Sequence, residues 1–303
     1  MTGADLDELE DLLVRYRPKL IYTNPTFQNP TGTTMPRHVR RDLLTLAERY
    51  RVPIVEDATY GELYFSDPPP PSLRDLDTNN IVILLSSFSK VMAPGLRLGW
   101  LSAARSIVDQ IALIKQRMDP HTQNLAQLAV ARLIRDGSFD EHLRAIRAEH
   151  ARRCAQMIAA IQRHVPAGAL RFTRPQGGLY LWCRLAPGVD STSLLERALA
   201  SGVAFLAGPA FYPDPAGASE LRLCFSSVLP GEIDAAISRL AGCLQAGTNV
   251  AALGCRLLRA ATFVVGMTTP KANCQLPEFR TPKGLRNQFG SSGFGRWPLV
   301  VGS

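Results

Sequence analysis

Residues 86–100 read SSFSKVMAPGLRLGW and directly follow the apolar run IVILL at positions 81–85. A short apolar run bounded by polar residues is typical of a buried strand. Such a strand would deliver Lys90 to the carboxyl edge of a sheet, followed by a Pro-Gly turn and Arg97. Because open α/β sheets bind their ligands at that edge, the stretch predicts a ligand site built around an amine.

The chemistry of this stretch suits covalent binding of a ligand. A lysine that is held beside a second cation and shielded from water loses proton affinity and becomes a usable nucleophile. Ser87, Ser89 and Arg97 add two hydroxyls and a guanidinium, which are groups that bind phosphate. The combination therefore suits an aldehyde that also carries a phosphate. For a lone Ser-x-Lys, an ordinary lysine on a solvated loop would be the better interpretation.

Two further polar segments precede this stretch, and each follows a strand-like apolar run. The first is NPTFQNPTG at positions 24–32, and the second contains Asp57 and Tyr60. These side chains suit a pyridine ring that carries a hydroxyl group. A carboxylate opposite the ring nitrogen keeps that nitrogen protonated, and a phenol and an amide can bind the hydroxyl oxygen. Taken singly, Asp57 could cap a turn and Asn29 could be a plain Asn-Pro turn residue. Three such segments in this order make coincidence a poor explanation.

Together the segments resemble the aspartate-aminotransferase fold, fold type I, of pyridoxal-phosphate enzymes. The motifs TFQNPTG and SFSKxxxPGxRxGW are similar to the sequences of class I/II aminotransferases of the aminoadipate-aminotransferase type. They equally resemble the aminotransferase-like domain of the MocR branch of GntR regulators. The resemblance covers roughly residues 15–245. It implies an α/β fold with a partial large lobe on a mainly parallel sheet (1–138), then an interlobe helix and a small α+β lobe (139–245).

The resemblance also implies a cofactor, pyridoxal 5′-phosphate, and a role for each site residue. The implied cofactor-binding residues are Asn29, Asp57, Tyr60, Ser87, Ser89, Lys90 and Arg97. Three of them are implied to be catalytic: Lys90 forms the Schiff base and moves protons, Asp57 keeps the ring nitrogen protonated, and Tyr60 binds the ring oxygen. Asn29 and Arg222 are the implied substrate-binding residues, with Arg222 gripping the α-carboxylate; the alternative for Arg222 is an exposed strand arginine. The expected reaction moves an amino group from an amino acid to a 2-oxo acid.

Two other functions fit the same segments. A MocR-type transcription regulator would use this region to sense pyridoxal phosphate or an amino-acid ligand, behind a DNA-binding domain missing here. A catalytically dead remnant is the second rival. Relatives also carry a further part of the large lobe upstream of the Asn-Pro-Thr-Gly segment, and the roughly 28 residues before Asn29 are too few to contain it. We therefore expect an N-terminally truncated chain, weakly active by itself, that is homodimeric in its full-length form.

Composition predicts a cytoplasmic protein. The 303 residues are 46% hydrophobic and 20% charged, which is ordinary for a globular protein. No apolar run is long enough to span a bilayer, and the acidic N-terminus lacks the pattern of a signal peptide. The six cysteines are scattered without a Cys-x-x-Cys pair, which favours reduced thiols. The five histidines show no metal-ligand spacing, so we expect no metal site.

The positive charge is concentrated at the C-terminus. Residues 246–303 hold seven cations and one anion, so they account for +6 of the net charge of +8. The remainder of the chain is therefore close to neutral, and the high isoelectric point says little about its partners. Glycine, proline and serine become frequent in 246–303 while periodicity fades, which predicts a disordered basic tail. An arm that binds nucleic acid is the alternative.

Overall fold

The computed structural model describes residues 3–119 and 121–246, which contain two four-stranded sheets; the elements up to residue 135 are called the first lobe and those from residue 138 the second. The first lobe contains α1 (Leu6–Tyr16), β1 (Ile21–Thr23), α2 (Arg37–Tyr50), β2 (Ile54–Asp57), α3 (Leu73–Leu76), β3 (Val82–Ser87), β4 (Gly99–Ser102), α4 (Arg105–Met118) and α5 (Asn124–Arg135). The second lobe contains α6 (Ser138–His164), β5 (Leu170–Phe172), β6 (Tyr180–Leu185), α7 (Ser191–Ala200), β7 (Leu206–Ala207), β8 (Glu220–Cys224) and α8 (Pro230–Ala246).

The sheet of the first lobe is mainly parallel, as the sequence predicts. Its order is β1-β2-β3-β4, with β1, β2 and β3 parallel and β4 antiparallel to β3. The apolar stripe of α2 packs on this sheet, and Ala47, Ile54 and Val82 are completely buried there. The sequence does not predict strand β4, because its first residues belong to the lysine segment. Gly99 permits the pairing, since a β-carbon at this position would lie 2.9 Å from the Ser86 carbonyl oxygen.

The sheet of the second lobe is antiparallel throughout, with the order β5-β6-β8-β7. Alternation along β8 places Leu221 and Leu223 in the core under α6 and α8, and leaves Arg222 on the opposite face. The sequence of residues 203–206 is typical of a strand, but only Leu206 of that range pairs with β8, together with Ala207. The long helix predicted from residue 139 is confirmed as the 27-residue α6.

A pair of glycines joins the two lobes. Gly178, with a φ of +75°, donates its N–H to the Leu63 carbonyl at 2.8 Å. A β-carbon at Gly177 would lie 2.5 Å from the Phe27 ring and 2.6 Å from the Leu63 carbonyl oxygen. The absence of side chains therefore lets the start of β6 approach the loop that carries Asn29.

Within the described residues, no helix combines the length and apolar character needed to cross a membrane. The same part of the chain holds no cluster of histidine, cysteine, aspartate or glutamate that could bind a metal ion. Residues 247–303, which include almost all of the predicted basic tail, lie outside the described residues.

Candidate active site

The three polar segments meet along one edge of the first sheet. Asn24 follows β1, Asp57 ends β2 and Ser87 ends β3. These strands are parallel neighbours, so their carboxyl ends lie side by side. The backbone N–H of Ala58 continues the pairing by donating to the Leu85 carbonyl at 2.8 Å. Each of the Asn29, Asp57 and Lys90 segments follows a strand, as the sequence predicts, and the structure shows that these strands are adjacent.

The Asp57 carboxylate is held by hydrogen bonds on both oxygens. The Tyr22 hydroxyl donates to Oδ2 at 2.6 Å. Thr59 donates to Oδ1 twice, from its backbone N–H at 3.0 Å and from its hydroxyl at 2.6 Å. Burial and the bond to Asp57 raise the pKa of Tyr22 well above its ordinary value, so the phenol remains a donor. Sequence reasoning missed Tyr22, which looked like an ordinary strand aromatic.

Asn24 connects two of the predicted site residues. Its side-chain amide donates to the Asp57 carbonyl at 2.5 Å, and its side-chain carbonyl accepts the Asn29 backbone N–H at 3.0 Å. One amide therefore spans the loop after β1 and the end of β2. The position of Asn29 relative to Asp57 is fixed by this bridge.

Arg222 reaches the first lobe from the second. Its guanidinium donates to the Asn29 side-chain oxygen at 2.5 Å and lies 3.9 Å from the centre of the Tyr180 ring. Tyr180 also packs edge-on against buried Tyr60, with ring centres 5.8 Å apart. Burial and the neighbouring Tyr180 hydroxyl raise the pKa of Tyr60. The structure therefore brings Asn29, Tyr60 and Arg222 together around one aromatic ring, and Arg222 is not a free surface arginine.

One buried donor of Arg222 has no partner in the part of the chain that the structure describes. Its Nε is buried and forms no hydrogen bond with any described residue. A buried N–H without a partner costs free energy, and native proteins leave few of them. A guanidinium presents parallel donors that match a carboxylate. This orphan N–H is consistent with a ligand that supplies the missing acceptor.

The lysine segment is more open than the sequence suggested. The Ser87 hydroxyl accepts the Ser89 N–H at 3.1 Å and contacts the Leu98 carbonyl at 3.4 Å. Lys90 and Arg97 are exposed, and within the described residues neither side chain forms a hydrogen bond or an ion pair. The expectation that Lys90 is shielded from water is therefore wrong for this chain alone. Lys90 lies in the turn after β3, and no described helix or strand covers it.

Helix α6 supports the backbone of that turn. The His142 Nε2 forms a hydrogen bond with the Val91 carbonyl, 2.9 Å away. Next to it the rings of Phe88 and Phe139 pack edge-on with centres 6.0 Å apart. The residues on either side of Lys90 are thus anchored on the second lobe, although the lysine side chain itself bonds to none of the described residues.

A buried arginine holds the loop that leads to Asn29. Arg40, on α2, is 0% exposed, and its Nε donates to the Met35 carbonyl at 2.9 Å. Its Nη2 donates to the Pro25 carbonyl at 3.0 Å and to the Thr26 hydroxyl at 2.7 Å. Both ends of the loop are therefore tied to one guanidinium. Burial lowers the pKa of Arg40, and the nearby Glu56 partly offsets that effect.

Glu56 is the matching buried anion. Its carboxylate lies 3.8 Å from Arg40 Nη1 and accepts the backbone N–H groups of Leu73 and Arg74, each at 2.9 Å. Burial raises the pKa of Glu56, and these N–H groups and Arg40 oppose the rise. The pair was not predicted, because charged residues on a helix and a strand are usually solvated.

The geometry agrees with a known family. The family model for aminotransferase class I and II matches residues 2–240. The chain belongs to this family. This aminotransferase-family chain is 39% identical over 243 residues to an uncharacterized aminotransferase of Saccharolobus solfataricus, covering 78% of the chain and 60% of that protein. The resemblance inferred from the three segments is thereby confirmed.

A solved structure extends the agreement to the fold. The neighbour is LysN, the α-aminoadipate aminotransferase of Thermus thermophilus, solved in complex with N-(5′-phosphopyridoxyl)-L-leucine. The two structures superpose with a TM-score of 0.77 at 37% sequence identity, and the match covers 81% of this chain and 63% of LysN. The predicted fold-type-I α/β class is confirmed. The aminotransferase-family chain is also 31% identical over 228 residues to an uncharacterized HTH-type transcriptional regulator of Bacillus subtilis, covering 75% of the chain and 46% of the regulator. The chain spans about 60% of the length of the curated relatives it matches first.

Proposed function

We propose that this chain carries the cofactor and substrate groups of a pyridoxal-phosphate-dependent aminotransferase, which moves an amino group between an amino acid and a 2-oxo acid. The observation that carries the proposal is the connection of Asp57, Asn29, Tyr60 and Arg222 across two lobes at one sheet edge. Structural ion pairs and turns do not require these groups to converge. Binding a cofactor ring and a substrate carboxylate side by side does require these four groups to converge.

The residues present fit that cofactor. Asp57 Oδ2 accepts one hydrogen bond in the described structure and can accept another from a ring N–H. The Lys90 amine, which has no partner among residues 3–119 and 121–246, can meet an aldehyde, and Ser87, Ser89 and exposed Arg97 can bind a phosphate. When bound, pyridoxal phosphate supplies an electron-withdrawing ring that stabilises negative charge at the substrate α-carbon.

Each protein group then has one task. Lys90 would hold the cofactor through its amine, and the same amine would carry a proton to and from the substrate α-carbon. Asp57 holds the proton on the ring nitrogen, while Asn29 and Tyr60 bind the ring hydroxyl oxygen. Arg222 binds the substrate α-carboxylate, using the Nε donor that lacks a partner.

Covalent labelling tests this assignment. The purified chain is incubated with pyridoxal phosphate, reduced with borohydride and mapped by peptide mass spectrometry. We expect the phosphopyridoxyl group on Lys90 and its loss in Lys90→Ala. Lys115 serves as an internal control, because its amine is engaged by the Asp119 carboxylate at 2.9 Å. A label on Lys115 or on another lysine in place of Lys90 would overturn the assignment.

A ligand-sensing domain of a transcription regulator is the second candidate, and the identity to the Bacillus subtilis regulator supports it. The two functions differ in turnover. An enzyme should convert glutamate to 2-oxoglutarate in the presence of a 2-oxo acid acceptor, whereas a sensor should bind the same compounds without turnover. Genomic DNA upstream of Met1 that encodes a winged-helix domain would favour the regulator.

We also propose that the functional form is a cytoplasmic homodimer with lobes at 1–138 and 139–245. Apolar side chains on α4 support the dimer, since Leu113, Ile114 and Met118 are 56%, 57% and 82% exposed. Exposed apolar patches of this kind mark interaction surfaces. The free thiols of the described cysteines support a reducing compartment. Light scattering of the wild-type chain and of Met118→Glu tests the dimer, which we expect only for the wild type.

A further inference from the structure

The hydrogen bonds of the Asp57 carboxylate are unevenly distributed between its two oxygens. Oδ1 receives two donors from Thr59, and Oδ2 receives one donor from Tyr22 among the described residues. Each carboxylate oxygen has about two acceptor positions. Oδ1 is therefore filled, whereas Oδ2 retains a single acceptor position.

The donors come from different parts of the fold. Thr59 lies two residues after Asp57 in the same turn and moves with it. Tyr22 lies on the neighbouring strand β1, where it pairs with Val55, so its hydroxyl is an external reference point for the carboxylate. A rotation of the carboxylate that preserved the local Thr59 bonds would still break the bond to Tyr22. Tyr22 consequently defines where the open position of Oδ2 points.

We propose that Tyr22 is a positioning residue for recognition of the cofactor ring nitrogen. This inference rests on the proposed function, in which Asp57 faces that nitrogen. The Tyr22 hydroxyl occupies one acceptor position of Oδ2 and leaves the other for the ring N–H. Because Tyr22 acts through Asp57 alone, it contributes to recognition of the nitrogen and not of the phosphate or the aldehyde.

A pair of probes isolates this contribution. Pyridoxal phosphate and its 1-deaza analogue, in which a C–H replaces the ring nitrogen, share the phosphate, aldehyde and hydroxyl groups. The ratio of their dissociation constants, measured by absorbance titration of the purified 303-residue chain, reports only on the nitrogen. Tyr22→Phe removes one oxygen atom. Tyr50→Phe is the matched control, because the Tyr50 hydroxyl donates to the Glu10 carboxylate at 2.8 Å, away from the candidate site.

We expect the wild type and Tyr50→Phe to prefer pyridoxal phosphate over the analogue to the same extent. In Tyr22→Phe this preference should fall by about tenfold, the usual effect of one hydrogen bond to a charged group, with affinity for the analogue unchanged. An unchanged preference in Tyr22→Phe would overturn the inference, as would an equal loss for both probes, which indicates general disruption. A wild type that prefers neither probe, or binds neither, would instead overturn the proposed function of Asp57.

Discussion

Replacing Arg40 with methionine should destabilise the chain strongly, because it removes a buried cation whose partners remain buried. The guanidinium is 0% exposed and donates to three carbonyl oxygens and one hydroxyl, in addition to facing Glu56 at 3.8 Å. Breaking a buried pair by removing one partner costs about 3–5 kcal/mol. We expect Arg40→Met to lose that much free energy of unfolding, measured by urea denaturation followed by circular dichroism.

Arg49→Met is the matched control on the same helix. Arg49 also pairs with a carboxylate, Glu10, at 2.8 Å, but the two side chains are 61% and 38% exposed. Exposed pairs contribute about 0–1 kcal/mol. The two variants therefore remove the same group from α2, but only Arg40 is buried and donates to four acceptors besides its carboxylate partner.

The loss in Arg40→Met should also depend on pH. Burial holds the pKa of Glu56 in the folded state above its unfolded value, and removal of Arg40 takes away one group that opposes this rise. A carboxyl with a raised folded pKa binds its proton more readily in the folded chain, so folding gains stability as pH falls through that pKa. The deficit of Arg40→Met relative to wild type should thus shrink as the pH falls from neutral toward the ordinary pKa of a glutamate. A deficit below that of Arg49→Met, or one that grows as pH falls, would refute this account of the pair.

Three further outcomes are expected. Gly177→Ala should lower the free energy of unfolding by about 1–3 kcal/mol in a urea titration, because its β-carbon would lie 2.5 Å from a phenylalanine ring. The control is Gly242→Ala on α8, whose β-carbon would meet open space, so this variant should be neutral or stabilising. Arg222→Met should bind 2-oxo acids at least about 30-fold more weakly, as measured by equilibrium titration, while Lys90 still incorporates the phosphopyridoxyl label. Unaltered affinity would show that the carboxylate is bound elsewhere. Iodoacetamide at about pH 8 should label half-buried Cys224 before Cys154, because burial raises the pKa of Cys154 to about 11. The reverse order of labelling in a peptide map would contradict the described burial of Cys154.

The order of strands and helices could be predicted because apolar periodicity reports burial. The apolar runs at 52–55 and 81–85 overlap β2 and β3, which begin two residues and one residue later, and the apolar stripe after Pro36 lies on α2. Strand β4 could not be predicted in this way, since Gly99 and Trp100 are both exposed and carry no apolar alternation. Its pairing depends on a close approach to Ser86, which is a tertiary contact.

Site residues that lie in recognisable sequence motifs could be predicted. Residues whose role depends on a tertiary contact could not. The positions of Asn29 and Asp57 at one sheet edge followed from strand ends. Tyr22 escaped notice because a strand tyrosine has no distinctive signal until its hydroxyl meets Asp57. The burial of Arg40 is equally invisible in sequence, because its acceptors are mostly backbone carbonyls.

The hydrogen bond between Asn29 and Arg222 has a consequence for the order of folding. It joins residues 193 positions apart. Contacts of such long separation form only after the loop between them has closed, and loop closure here requires both lobes to be folded and docked. A chain with only its first lobe folded would already display Lys90 and Asp57 but would lack Arg222, the residue that we propose to bind the substrate carboxylate. The proposed recognition of the substrate carboxylate would thus be the last property that this molecule acquires as it folds, and the first that it loses when the lobes separate.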